Sequence, residues 1–281
     1  MKPRSFAGIE RYLKVYWQPL HGHAINKISR AEVATELDKM KECYRPEATN
    51  HARTALSALF AWAMTKGLCE SNPVIGTEKP AKSVRRERVL ADQELAAIWR
   101  ALPDNDYGRI VRLLILTGSR REEIAGLTRA EADLQSRRLA LLGARTKNGL
   151  PHIIPLSALA MAALQDALAH ARNGRDLIFG ERGSFSGWSV AKKMLDGKLK
   201  GMKPWRLHDI RRTVATRMAE LGVQPHIVEA VLNHVSGAKA GIAGTYNRAE
   251  YLPERVKALG LWGQHIGALS EAGADDLGRL S

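Results

Sequence analysis

Leu207-His208-Asp209-Ile210-Arg211-Arg212-Thr213 is the stretch on which the reading of this chain turns, because it opens a helix with a histidine and an arginine three residues apart. On a helix that spacing sets the imidazole and the guanidinium on one face, about one turn from each other. The guanidinium is a rigid fork of donors that fits two phosphate oxygens, and the imidazole adds a hydrogen bond or moves a proton near neutral pH. The pair is half of a phosphate clamp. His-x-x-Arg also occurs on ordinary solvated helix faces, so its meaning depends on what else the chain supplies.

Composition narrows the partner. The 281 residues carry 43 Lys and Arg against 29 Asp and Glu, a formal net charge of +14. Such a surplus is the electrostatic footprint of a polyanion partner, and nucleic acid is the default. An anionic membrane would call for basic residues gathered on one amphipathic segment, whereas here they are spread along the chain. No apolar run is long enough to span a bilayer, and the N-terminus lacks the apolar stretch of a signal peptide. A cytoplasmic, nucleoid-associated protein is therefore expected. A hydrophobic content of 45% suffices for one or two cores. Cys43 and Cys69 are too few for a disulfide scaffold and lack metal-ligand spacing, so both read as structural thiols.

Residues 1–75 read as a small helical module. Phe6, Ile9, Leu13 and Tyr16 or Trp17 recur at helical spacing until Pro19; Ser29 and Glu32 form a capping box ahead of a second helix. A third helix from Pro46 carries Ala55, Leu56, Leu59, Phe60 and Ala63 and stops at Gly67. Ala61-Trp62-Ala63 and Asn72-Pro73-Val74 read as core contacts and a helix stop. Residues 76–88 have no apolar periodicity and hold more basic than acidic residues, which suits a basic linker. If that strap and the domains on either side of it close around a duplex, raising salt from 50 to 200 mM should weaken binding by roughly 10³ or more. A nearly flat salt response in a titration by fluorescence anisotropy would exclude such a clamp.

A second domain is expected over 89–266, with 267–281 as a frayed tail. Leu90-Ala91-Asp92 caps a helix to about Leu102, and the apolar run Ile110 to Leu116 ends at Thr117-Gly118-Ser119-Arg120. Gly118 breaks that helix and places Arg120 at the start of the next turn, where Glu123 is in reach to orient it. Arg138 to Thr146 and Leu150 to Pro155 read as short strands around Lys147-Asn148-Gly149, and Asn-Gly between strands predicts a hairpin with Lys147 at its tip. Helices are predicted at about 157–172, 186–196, 206–221 and 224–232. After Asn233-His234 a Gly-rich stretch leads to Thr245-Tyr246-Asn247-Arg248, and a last helix covers Glu250 to His265.

Arg120, Lys147, His208, Arg211, His234 and Tyr246 thus stand at or near element ends. That set has one economical use. Two arginines hold a phosphate and stabilise charge on its non-bridging oxygens, a lysine or histidine protonates the leaving oxygen, and a phenol attacks phosphorus. The arginines would take the part that a metal plays in other phosphoryl transfer, so no cofactor or metal is expected. Neither a Walker loop nor GxGxxG is present.

On these residues the chain resembles the tyrosine recombinase (phage integrase) family of site-specific DNA recombinases, over nearly its whole length. Ala61-Trp62-Ala63 to Asn72-Pro73 is similar to the end of the family's core-binding domain, and Thr117-Gly118-Ser119-Arg120 to its first arginine motif. Lys147 matches the hairpin lysine, His208-Asp209-Ile210-Arg211 the His-x-x-Arg motif, Leu232-Asn233-His234 the family's Leu-Gly-His, and Tyr246 the nucleophile. Asn233 departs from the usual glycine. The family's N-terminal arm-binding domain has no visible counterpart, which suggests a trimmed or naturally short recombinase with a core-type module incomplete at its start.

The resemblance implies a mainly α fold: a helical core-binding domain joined by a basic linker to a mixed α+β catalytic domain with a small β-hairpin or sheet. It implies cutting and rejoining of DNA through a 3′-phosphotyrosyl intermediate, without metal or ATP, for integration or excision of a mobile element such as a prophage. Partners would be double-stranded DNA, further copies of the chain in a tetramer on paired sites, and accessory DNA-bending proteins. Arg121, Arg212 and Tyr251 are offset from the motif positions and read as contacts to DNA phosphates or acidic neighbours and, for Tyr251, as helix packing. Two other readings share the residues: a type IB topoisomerase, selected by site-independent supercoil relaxation, and a catalytically idle DNA-binding protein, which a complete catalytic set disfavours.

Overall fold

In the computed structural model, residues 3–79, 87–234 and 250–278 are described. The chain divides into two units, Met1–Arg86 and Glu87–Ser281. In the first, α1 (Pro3–Arg11) passes into a π-helical turn at Tyr12–Tyr16, followed by a short 3₁₀ turn at Gln18–Leu20, α2 (Arg30–Cys43) and α3 (Pro46–Thr65). The Ser29–Glu32 capping box closes as expected: Ser29 N–H donates to Glu32 Oε2 at 2.7 Å and Glu32 N–H to Ser29 Oγ at 3.2 Å. Tyr16, Trp17, Val33, Leu37, Leu56 and Phe60 form the core, and the indole of Trp17 donates to Ala52 O at 2.8 Å.

Two residues depart from their sequence-based placing. Phe6 is 60% exposed, and Trp62 is 52% exposed because the buried face of α3 follows Ala52, Ala55, Leu56, Phe60 and Ala63, which leaves Trp62 beside that face rather than on it. Residues at the start of the expected 76–88 linker, and those just after its end, are held by their own units. Arg53 donates to Thr77 Oγ1 at 2.9 Å and to Val74 O at 3.0 Å, which holds residues 74–77 on the first unit. Leu90 is fully buried in the second unit. Residues 80–86 lie outside the described residues.

The second unit is built around α5 (Asp106–Thr117), in which the residues from Tyr107 to Val111 and from Leu113 to Thr117 are all buried. A helix apolar on nearly every side needs neighbours all round. They are the short α6 (Arg121–Ala125), α7 (Ala158–Ala169), α9 (Leu207–Glu220) and α11 (Leu252–Gly278), with α4 (Asp92–Ala101) packed on α11 and α8 (Trp188–Lys198) and α10 (Pro225–Val231) completing the unit. The indole of Trp262, fully buried, donates to Ile115 O at 2.7 Å and fastens α11 to α5. The sheet is antiparallel in the order β1 (Ala132–Asp133), β2 (Arg138–Leu141), β3 (His152–Pro155), with Leu139 opposite Ile154 and Leu141 opposite His152.

Three expectations need correction here. Strands β2 and β3 stop short of the Asn-Gly pair: a 3₁₀ turn at Gly143–Arg145 intervenes, so Lys147 sits in a broad loop rather than on a two-residue hairpin. The last helix continues to Gly278 instead of ending near His265, since Ile266 and Leu269 keep packing on the core. Tyr251, expected inside that helix, precedes it, and the helix's packed face is carried by Arg255, Ala258, Leu259 and Trp262.

Gly118 ends α5 in the left-handed region, φ 63°, and its N–H caps Leu114 O at 2.9 Å. A Cβ there would lie 2.9 Å from both Leu232 Cδ2 and Val214 Cγ1. Gly118→Ala combines a left-handed alanine with overpacking and should destabilise the protein by about 2–4 kcal/mol. Urea denaturation measures this, and an unchanged midpoint would mean the turn relaxes freely.

Candidate active site

Gly118 matters because of what it places. Arg120 follows two residues later as the N-cap of α6, a position with no hydroxyl or carboxylate of its own. Glu123 compensates from the third helical position: its Oε2 accepts the Arg120 backbone N–H at 3.0 Å and its Oε1 accepts the guanidinium at 2.9 Å. One buried carboxylate thereby caps the helix and aims the arginine. Thr117 supports the turn, its hydroxyl donating to Leu113 O at 2.6 Å and accepting from Ser119 N–H at 3.2 Å.

Arg211 lies one turn into α9, buried. It donates from Nη1 to Gly118 O at 2.6 Å and from Nη2 to Leu232 O. These carbonyls belong to the end of α5 and the end of α10, so one guanidinium staples together the segments that carry Arg120 and His234. Burial, then the charge of Arg120, pushes the Arg211 pKa down to about 10, which leaves it a cation at neutral pH.

The helix α9 lacks a hydroxyl cap; Asp209 supplies it, accepting the Arg206 backbone N–H at 2.9 Å through Oδ2. Its Oδ1 takes Arg212 at 2.9 Å, so this motif arginine answers to an acidic neighbour. Thr213 accepts the Leu90 N–H at 2.8 Å. Asp209 and Thr213 are thus architectural members of the motif. His208 stands in the first turn of α9, where the unpaired N–H groups of a helix start favour an anion. Its pKa is lowered by withdrawal from water and then by the Arg212 and Arg211 charges, with Lys147 adding to the effect. His208 is therefore neutral at pH 7 and able to accept a proton.

His234 follows α10 in a Schellman arrangement: Asn233 N–H donates to Ala230 O at 3.2 Å and His234 N–H to Glu229 O at 3.0 Å, with Asn233 in the left-handed region at φ 47°. This position normally takes glycine, and asparagine is the next residue to tolerate it, which accounts for the departure from Leu-Gly-His. His234 is also shifted toward neutrality, by withdrawal from water and by Arg211 and Arg120. Lys147 is exposed in the loop between β2 and β3.

The fold therefore gathers Arg120, Lys147, His208, Arg211 and His234 from separate segments, with Glu123 beneath them. Tyr246 lies outside the described residues. The offset residues are otherwise engaged: Arg121 covers the ring of Trp188 at 4.8 Å and pairs with Glu122 at 2.6 Å, and Tyr251 packs its ring on His226 at 5.1 Å. Sequence reasoning did not single out His152, buried on β3, whose pKa burial and the Arg255, Arg211 and Arg120 charges push down to about 3. A histidine in a strand carries no mark of such a position. Among the described residues no group of His, Cys, Asp and Glu could hold a metal ion, and no helix is long and apolar enough to cross a membrane. The site is a cluster of cationic groups and neutral imidazoles whose buried carboxylates, Glu123 and Asp209, are already engaged by Arg120 and Arg212, which favours an anion with several oxygens.

Residues 88–251 match the phage integrase family. Prophage integrase IntZ of Escherichia coli is 29% identical over 240 residues, 83% of this chain and 58% of the relative. Tyrosine recombinase XerD of Halalkalibacterium halodurans is 24% identical over 242 residues, 80% of each chain. A lambda integrase tetramer bound to a Holliday junction shares the fold, with a TM-score of 0.66 at 18% identity, over 86% of this chain and 74% of that one. The chain thus spans less than two thirds of the length of the first of these relatives.

Proposed function

The chain belongs to the phage integrase family, and from that premise we propose that it is a site-specific tyrosine recombinase that breaks and rejoins duplex DNA through a covalent phosphotyrosyl intermediate. The observation that carries this reading is the joining of Arg120 and Arg211 across Gly118, Leu232 and Asn233, with Lys147, His208 and His234 around them.

In this mechanism the two guanidinium groups bind the non-bridging oxygens of a backbone phosphate and stabilise the charge that grows on them. The Tyr246 hydroxyl, with an ordinary pKa of about 10, is a poor nucleophile until its proton is taken, and neutral His208 is the acceptor. The phenolate oxygen forms the bond to phosphorus at the 3′ side while the bond to the 5′ oxygen breaks. Lys147 gives that oxygen its proton. The free 5′-hydroxyl of a partner strand then reverses these steps, so the bond energy is conserved and no nucleotide is consumed. The lambda tetramer on a Holliday junction supports a tetramer of this chain on paired sites; the prophage relative supports integration or excision of a mobile element.

The reading is tested by covalent capture. The protein is incubated with a random-sequence pool of nicked duplexes, and DNA that stays attached in denaturant is recovered and sequenced. A recurrent site attached through tyrosine is expected, and DNA held by no covalent bond would overturn the proposal. Lys147 has its own test on the captured site. Lys147→Ala should slow cleavage about 10²–10³-fold, and replacing the 5′-bridging oxygen with sulfur, which leaves without a proton, should restore it. If sulfur gives no recovery, the acid is another group.

A further inference from the structure

Lys147 is exposed, yet the loop that carries it is tied down on both sides. Before it, Arg145 donates from Nε to Glu131 Oε1 at 2.9 Å and from Nη2 to Gly126 O at 2.6 Å and Glu123 O at 3.0 Å. Thr146 is buried, its hydroxyl 2.7 Å from Leu150 O. After Lys147, Asn148 makes a turn of its own, its Oδ1 accepting Leu150 N–H at 3.2 Å.

The amide of Asn148 then crosses to another part of the fold. Its Nδ2 donates to Asn233 O at 3.0 Å and to Asn233 Oδ1 at 3.1 Å. The Asn233 amide answers with Nδ2 to Asn148 Oδ1 at 3.4 Å and to Leu150 O at 3.5 Å. Asn233 O also accepts Arg120 Nη2 at 3.3 Å. A single carbonyl therefore joins the lysine loop to the first clamp arginine, and the neighbouring residue Leu232 holds the second. Glycine at 233 would satisfy the left-handed backbone equally well, but it would offer none of the side-chain contacts.

We propose that Asn148 and Asn233 form an amide latch that sets the Lys147 ammonium in register with the Arg120–Arg211 clamp, which makes Asn233 a positioning residue for leaving-group protonation. The inference rests on the reading of Lys147 as the acid. Asn233→Gly isolates the latch. It keeps the backbone conformation and the carbonyl that Arg120 uses, and it removes three of the four amide contacts. Asn148→Asp is the second variant: it keeps the Leu150 turn and replaces the donor to Asn233 O by an acceptor.

Both variants should bind the captured site as the wild type does and cleave it roughly tenfold more slowly, the size expected for about 1.4 kcal/mol of lost hydrogen bonding. On the 5′-bridging phosphorothiolate the deficit should shrink to less than about twofold, and hydrogen exchange across residues 142–151 should quicken about tenfold. Unchanged exchange in both variants would show that no latch holds the loop. Faster exchange with a cleavage deficit that sulfur does not relieve, while Lys147→Ala is relieved, would show that the latch does not act through Lys147. Failure of Lys147→Ala itself to recover on sulfur would bring down the acid assignment and this inference with it, whatever the exchange shows.

Discussion

Tyr246→Phe is expected to bind the captured site with unchanged affinity and to form no covalent complex, a loss of at least about 10⁴-fold, because removing a nucleophile leaves only the binding and charge-stabilising parts of the site. Tyr251→Phe is expected to form the complex. The two tyrosines are five positions apart, but the structure gives Tyr251 another task. Its ring packs edge-on against His226 at 5.1 Å, it joins the core of the second unit, and its carbonyl accepts the N–H of Arg255 at 2.9 Å at the start of α11. This packing gives Tyr251 a structural part in the unit, and the pair of variants tests whether it has any other. Denaturing gels of each variant with the nicked site read the result directly. A covalent band from Tyr246→Phe, or its loss in Tyr251→Phe at full DNA affinity, would move the nucleophile.

Arg211→Ala should lose about 10³-fold or more in the cleavage step, and Arg211→Lys about 10². The difference follows from geometry. Lysine restores the charge, but a single ammonium cannot reach Gly118 O, Leu232 O and a phosphate together as the planar fork does. Alanine also leaves two carbonyls without their donor in the interior, which costs about 1–3 kcal/mol for each, so its melting temperature should fall while that of the lysine variant falls less. Single-turnover cleavage normalised to folded protein separates the two losses. An Arg211→Ala enzyme that cleaves within tenfold of the wild type would remove Arg211 from the clamp.

The helices around α5 and the motif positions were legible in the sequence because local signals carry them. Ser29 with Glu32, Gly118 after an unbroken apolar run, and His208 with Arg211 one turn apart each encode their structure within a few residues, where helix period and capping act. The pairing of Glu123 with Arg120 was legible for the same reason. The Asn148-Gly149 pair misled, since a turn propensity is weak against Arg145 and Asn148 bonding to distant partners that open the loop wider than a hairpin. Trp62 was placed in the core by its type, whereas packing on Ala55, Phe60 and Ala63 turned it outward.

What only the tertiary structure decided are the contacts between segments far apart in the chain. No periodicity links Arg211 to the carbonyls of Gly118 and Leu232, Thr213 to the N–H of Leu90, or Asn148 to Asn233. Short-range order depends on φ and ψ preferences that each residue brings with it, and the sequence by itself determines that much. A hydrogen bond between helix ends depends on where packing has already set those ends, and that position exists only once the core around α5 has formed.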